Sequence, residues 1–114
     1  MKDFLLIFRS EVLPTRTGTP EEMQAAMQGW IDWIGGIAQK GHLTDRGNRL
    51  ADSGKVVRSG SVITDGPYSD IKEFIGGYTI VKADSIENAT ALVNGCPILK
   101  VGGSVEVREI DVIS

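Results

Sequence analysis

The segment KDFLLIFR, from Lys2 to Arg9, is apolar on both faces of an extended chain. Phe4, Leu6 and Phe8 fall on one face, and Leu5 and Ile7 fall on the other. The segment IGGYTIVKA, from Ile75 to Ala83, is apolar on both sides as well. Strands with two apolar faces lie in the interior of sheets. The sequence therefore predicts two central strands, one near each end of the chain.

A long amphipathic helix follows the first of these strands. Thr19-Pro20-Glu21-Glu22 supplies a capping hydroxyl, a proline at the first helical position and a glutamate three residues after the cap. Apolar residues then recur every three or four positions at Met23, Met27, Trp30, Ile34 and Ile37. Because Gly41 is a typical helix stop, we predict a helix from Pro20 to Lys40.

The middle of the chain is more polar. Leu43 to Ala51 predicts an edge strand, and Asp52-Ser53-Gly54 predicts a turn into Lys55 to Arg58, so that these segments form a hairpin. Ser61 to Thr64 is again extended, before Asp65-Gly66-Pro67-Tyr68 breaks the strand.

Two further elements complete the pattern. Asp84, with Glu87 three residues later, predicts the capped start of a second helix that runs to about Asn94 and stops at Gly95. Ser104 to Val112 alternates apolar and charged residues and predicts a closing strand.

The predicted order is strand, helix, strand, extra hairpin, strand, helix, strand. This is the order of an α+β, ferredoxin-like split βαβ fold, whose first and third main strands are central in a sheet of four antiparallel strands. Two helices cover only one face of such a sheet. We therefore expect a homodimer that buries the open sheet face.

Composition limits the class of protein. The chain has 114 residues, 41% of them hydrophobic, which predicts one domain over residues 1–114. Fifteen acidic against 12 basic residues give a net charge of -3, which argues against nucleic-acid binding through phosphates. Cys96 and His42 are the sole cysteine and histidine, so no disulfide or zinc site is predicted. The run from Phe4 to Phe8 is too short to cross a bilayer, and we expect a soluble, cytoplasmic protein with no membrane partner.

Several ordered motifs identify a family. Asp65-Gly66-Pro67-Tyr68 resembles the motif that gives the DGPF family its name, with tyrosine in place of phenylalanine. Five further pieces of the chain are similar to the pattern of DGPF or YCII-related domains. They are, in order, Lys72-Glu73, Gly76-Gly77-Tyr78, Asp84-Ser85-Ile86, Cys96-Pro97 and Gly102-Gly103-Ser104-Val105-Glu106-Val107-Arg108. The resemblance implies a ferredoxin-like fold of the dimeric α/β-barrel type and, for most members, no established reaction.

Asp65 and His42 are the predicted catalytic pair. Pro67 fixes its own φ and restricts Gly66, so the Asp65 carboxylate lies on a rigid corner that suits a base or a ligand anchor. The alternative is that Asp65 only accepts hydrogen bonds from the turn. His42 has the one side chain with an ordinary pKa near neutrality, and its alternative role is to interact with the carbonyls at the helix end. Related YCII proteins have a His and Asp pair in a cleft, but no motif identifies His42 with that histidine.

A substrate pocket is predicted beside the motif. Lys72 and Glu73, with Arg46 and Arg49, would frame a site for an anionic or carbonyl-bearing ligand, to which Tyr68 and Tyr78 would contribute hydroxyls. Solvated ion pairs are the alternative for the charged side chains, and ring packing is the alternative for Tyr68 and Tyr78.

The remaining candidates have structural explanations. We expect Cys96 to be a buried small residue and Trp30 and Trp33 to pack in the core or an interface. Gly76-Gly77 and Gly102-Gly103 match no nucleotide-binding pattern, so close backbone approach or bulges explain them.

Two functions follow from these predictions. The first is a cofactor-free small-molecule enzyme in which Asp65 and His42 move a proton. The second is a non-catalytic module that binds a metabolite or a partner, associated with regulation, in which Asp65 is a turn former. A purely structural dimer is a third possibility.

Overall fold

The computed structural model describes residues 1–10, 19–66 and 74–113. The elements, in chain order, are β1 (Lys2–Ser10), α1 (Pro20–Gln39), β2 (Leu43–Asp45), β3 (Gly54–Arg58), β4 (Val62–Gly66), β5 (Phe74–Ala83), α2 (Ile86–Ala91), a 3₁₀ helix (Pro97–Val101) and β6 (Ser104–Glu109).

The main sheet confirms the predicted fold. Its strand order is β2-β5-β1-β6, and every neighbouring pair is antiparallel. This is the ferredoxin-like arrangement, with β1 and β5 at the centre as their two apolar faces predict. The remaining strands, β3 and β4, pair with each other in a separate two-stranded sheet.

The core lies between the main sheet and the helices. Phe4, Leu6 and Phe8 of β1 pack with Trp33 and Ile37 of α1 in one cluster, which also contains residues of β5, α2 and the loop after it: Val81, Ala83, Ala89, Val93 and Cys96. Because side chains alternate along a strand and paired residues share a face, Leu5, Ile7, Tyr78 and Ile80 face the other side of the sheet. These four residues are half-buried in the single chain.

The start and end of α1 follow the predicted signals. The Thr19 hydroxyl accepts a hydrogen bond from the Glu22 amide at 3.1 Å, and Pro20 occupies the first turn. Gly41 has a positive φ of 78°, the conformation that ends a helix at little cost for glycine.

The predicted hairpin pairing was wrong. β2 ends at Asp45, and Gly54–Arg58 pairs with Val62–Gly66 instead of with residues 43–51. The reason lies at Gly47, whose φ is 71° and whose amide donates to the Asp45 carboxylate at 2.8 Å. This local turn takes the chain out of the strand conformation. The chain returns to the sheet around Arg49, in a bridge with Gly77.

Three details of the C-terminal half also differ from the prediction. Ser85, and not Asp84, caps α2, since the Ser85 hydroxyl accepts from the Asn88 amide at 3.1 Å. The helix ends at Ala91, and turns carry the chain to residue 95. Pro97 then starts a 3₁₀ helix that the sequence did not predict.

Candidate functional site

A cleft of about 420 Å³ lies between α1 and the edge of the sheet where β5 meets residues 46–49. One wall is apolar and the opposite rim is polar. The lining residues are Phe8, Met27, Trp30, Ile31, Ile34, Arg46, Gly47, Asn48, Arg49, Gly76, Gly77, Tyr78, Thr79 and Ile98. A concave, mostly apolar surface with a few convergent polar groups is the usual form of a small-molecule site.

Aromatic packing fixes the apolar wall. The ring centroids of Phe8 and Trp30 lie 5.0 Å apart at 74°, and those of Trp30 and Trp33 lie 5.8 Å apart at 83°. The Trp33 indole also donates to the Leu92 carbonyl at 3.1 Å. Edge-to-face contacts of this kind stabilise a fixed ring arrangement. The predicted packing role of both tryptophans is confirmed, and Trp30 also presents surface to the cleft.

The polar rim is the segment from Arg46 to Arg49, here called the 46–49 segment. Hydrogen bonds hold its backbone at two points, and a third bond holds the next residue, Leu50. The buried Thr79 hydroxyl donates to the Arg46 carbonyl at 2.9 Å, the Tyr78 amide donates to the Asn48 carbonyl at 3.2 Å, and Leu50 donates to the Gly76 carbonyl at 2.9 Å. The segment is thus fixed against β5 although it lies outside regular secondary structure.

Two glycines allow this close contact. A Cβ atom on Gly47 would lie 1.8 Å from the Tyr78 carbonyl oxygen, and one on Gly77 would lie 2.8 Å from the Asn48 carbonyl oxygen. The register of β1 with β5 shifts between Phe8 and Arg9, so that Gly76 is the extra residue of a bulge. The prediction that Gly76-Gly77 serves backbone approach or a bulge is confirmed.

The second glycine pair has a similar role. A Cβ atom on Gly103 would lie 2.7 Å from the Arg9 carbonyl oxygen, and Gly102 has a φ of 83° at the end of the 3₁₀ helix. Backbone geometry therefore explains this pair as predicted.

The charged groups that line the cleft are both cationic. Among the described residues its lining contains Arg46 and Arg49 but no aspartate, glutamate or histidine. Arg49 lies 3.6 Å from the Asp52 carboxylate, in a pair whose side chains are both well exposed. The rim of the cleft therefore has a positive charge, in a chain whose net charge is negative.

The predicted catalytic residues lie on different elements. Asp65 is in β4, and its exposed carboxylate forms an ion pair with Lys55 of β3. His42 lies between α1 and β2, and its Nδ1 is 2.9 Å from the Lys82 carbonyl. Neither side chain lines the cleft.

The imidazole ring of His42 bonds to the sheet, whereas the alternative prediction placed it at the carbonyls of the helix end. The backbone amide of His42 donates to the Ile37 carbonyl at 3.1 Å, whereas the imidazole bonds to the sheet. Because a carbonyl oxygen only accepts hydrogen bonds, Nδ1 carries the proton. The neutral ring then has its lone pair on Nε2.

The predicted binding residues divide into two groups. Arg49, with Arg46, lines the cleft. Tyr68, Lys72 and Glu73 lie outside the described residues, as does the turn after Gly66 to which Asp65 was predicted to bond. Tyr78 is also a lining residue, although its side chain lies on the open face of the sheet, where its hydroxyl accepts a hydrogen bond from the Asn48 side chain at 3.4 Å.

Sequence reasoning missed Ile31 and Asn48 as site residues. Ile31 lies at the edge of the apolar stripe of α1 and is 48% exposed, yet it lines the cleft. Its spacing, four residues after Met27 and three before Ile34, was the available signal. Asn48 gave no signal of its own, because its place depends on the turn at Gly47.

Cys96 is buried, as predicted, and burial raises the pKa of its thiol. Within residues 1–10, 19–66 and 74–113, no three His, Cys, Asp or Glu side chains are grouped to hold a metal ion. No helix in this part of the chain is long and apolar enough to cross a membrane.

The family model described as YCII-related domain matches residues 8–114, from the last residues of β1 through β6. No curated protein matches the chain. The family match thus covers nearly the whole chain, including the cleft.

Proposed function

The chain belongs to the YCII-related domain family, and on that basis we propose that it binds a small molecule in the cleft between α1 and β5. One observation carries this proposal. An apolar wall and a polar rim face each other across about 420 Å³, and the rim is held by hydrogen bonds and two required glycines. Such a volume is typical of sites for small ligands.

Filling the cleft tests the proposal. Ile31→Trp adds bulk at a lining position that is already exposed, so it should fill the cleft without disturbing the core. Ala25→Trp makes an equivalent change at an exposed position of α1 that does not line the cleft. In a fragment screen by NMR, we expect hits of the wild type to bind Ala25→Trp and to lose binding to Ile31→Trp. Equal binding to both variants would contradict the proposal.

Proton transfer by Asp65 and His42, without a cofactor, is the second candidate function. The observation that favours it is the hydrogen bond from His42 to Lys82, which leaves Nε2 as the basic nitrogen of the neutral ring. The described lining of the cleft supplies no carboxylate or imidazole, which is why binding is the primary proposal.

Asp65→Asn tests the second candidate. If the two residues share a site, the imidazole NMR signals of His42 should move in Asp65→Asn. Lys55→Gln is the matched control, because it breaks the ion pair of Asp65 and keeps the carboxylate. Imidazole signals that stay in place in Asp65→Asn would exclude a shared site.

We also propose a homodimer through the open sheet face and, given a single buried free thiol, a cytoplasmic location. Leu5, Ile7, Tyr78 and Ile80 give this face an apolar centre. Sedimentation of the wild type should give the mass of two chains, and Ile80→Arg should give the mass of one. Ile86→Arg, at an exposed position of α2, is the control and should remain dimeric. A wild type that sediments as one chain would contradict the proposal.

A further inference from the structure

We propose that the ligand of the cleft is a small monoanion, a carboxylate joined to an apolar body. This inference rests on the proposed function and adds the chemical class of the ligand. Three observations support it independently: the positive charge of the rim, the fixed backbone of the rim and the apolar residues of the opposite wall.

The charge at the rim favours an anion. Arg46 and Arg49 line the cleft, and no acidic side chain of the described residues lines it with them. Guanidinium groups bind carboxylates through paired hydrogen bonds. An anion would otherwise be repelled by this chain, whose net charge is -3. Arg46 and Arg49 therefore supply a local attraction for an anion, which a neutral ligand would not use and which would repel a cation.

The magnitude of the charge favours one negative group. Asp52 partly neutralises Arg49, at 3.6 Å, so the rim offers less than two full positive charges. The described lining has no lysine, and its glycines match no nucleotide-binding pattern. A polyphosphate would leave most of its charge without a partner in this cleft. A single carboxylate matches the available charge.

The backbone of the rim holds the arginines in place before a ligand arrives. Bonds from Thr79 and Tyr78 fix the carbonyls of Arg46 and Asn48, and Arg49 forms a bridge with Gly77. A segment fixed in this way loses little backbone entropy when a ligand binds. The position of the anionic end is therefore set by the sheet edge.

The opposite wall requires an apolar body on the same ligand. Trp30, Ile31 and Ile34 from α1 face the rim, with Met27 beside them. Inorganic anions would leave this wall in contact with water, whereas an apolar body removes it from water. The two sides together favour an amphipathic carboxylate over either a bare anion or a neutral apolar molecule.

Three compounds with one body and different head groups test the inference. These are 4-phenylbutanoate, 4-phenylbutanamide and 4-phenylbutylamine, with inorganic phosphate as a head-group control. The indole N–H signal of Trp30 reports on the cleft, and the indole of Trp33, which is bonded to Leu92, is an internal control. We expect the carboxylate to move the Trp30 signal with a Kd about fivefold lower than that of the amide, as one exposed ion pair provides. The amine and phosphate should bind most weakly.

Charge-removing variants assign the preference to the rim. Arg46→Gln combined with Arg49→Gln should reduce the preference for carboxylate over amide to about onefold. Arg58→Gln removes the same charge from β3, away from the cleft, and should keep the preference. Equal Kd values for carboxylate and amide in the wild type would overturn the inference and leave the cleft as a ligand site. If no compound, including a mixed library of neutral and charged fragments, moves the Trp30 signal, the proposed function fails as well.

Discussion

Replacing Thr79 with valine should loosen the segment that presents Arg46. The Thr79 side chain is 1% exposed, and its hydroxyl donates to the Arg46 carbonyl at 2.9 Å. Valine keeps the shape and the β-branched stem, so the change removes one hydrogen bond with little change in packing. The free energy of unfolding should fall by about 1 kcal/mol, the usual net value of such a bond.

Thermal or urea unfolding measures this loss. For 114 residues, the entropy of unfolding is about 0.24 kcal/mol/K, so a loss of about 1 kcal/mol lowers Tm by about 4 °C. Ligand affinity should fall in the same variant, because Arg46 is less well fixed. Thr44→Val is the control. It removes an exposed hydroxyl bond to Asp3, and Tm should change by less than about 2 °C. Equal Tm values for Thr79→Val and the wild type would refute the claim that this bond holds the rim.

Three further predictions concern the rest of the chain. Gly77→Ala should destabilise the fold by about 2 kcal/mol or more, since the new Cβ would lie 2.8 Å from a carbonyl oxygen of the 46–49 segment. Gly36→Ala, with open space around the new Cβ, should stabilise α1 by up to about 1 kcal/mol. Urea unfolding that shows the opposite order of stability would contradict this geometry. The Cys96 thiol, whose pKa is raised by burial, should react with a disulfide reagent near pH 8 only after unfolding, and rapid reaction of the folded protein would contradict its placement. Arg108 and Arg9 lower the pKa of Glu106, so the contribution of Glu106 to stability is present above the ordinary glutamate pKa of about 4.3 and is lost as the pH falls. Glu106→Gln should therefore make stability fall less steeply at acid pH. An unchanged fall would show that these ion pairs do not contribute to the pH dependence of stability.

Most of the fold could be predicted from the sequence because the signals are local. Two strands with apolar faces on both sides gave the centre of the sheet, and Thr19 with Pro20 gave the start of α1. The pairing around residues 43–66 could not be predicted in the same way. It depends on the turn at Gly47, where one amide bond to Asp45 ends a strand that polarity alone would continue.

The site was predicted only in part, since it depends on tertiary contacts. Arg46 and Arg49 were predicted to frame a pocket, and both line the cleft. The opposite wall uses Ile31, whose contribution depends on how α1 lies over β5. Periodicity identifies the buried face of a helix but not a surface that the helix shares with a neighbouring loop.

A crystallographic fragment soak tests most directly whether the cleft binds a ligand. Crystals of the wild type would be soaked with neutral and carboxylate-bearing fragments, and the electron density would be compared over the whole surface. We expect bound fragments between Trp30 and Arg46, with carboxylates at the rim and apolar parts on α1. Fragments that occupy other surfaces and leave this cleft to water would contradict a ligand-binding function for it.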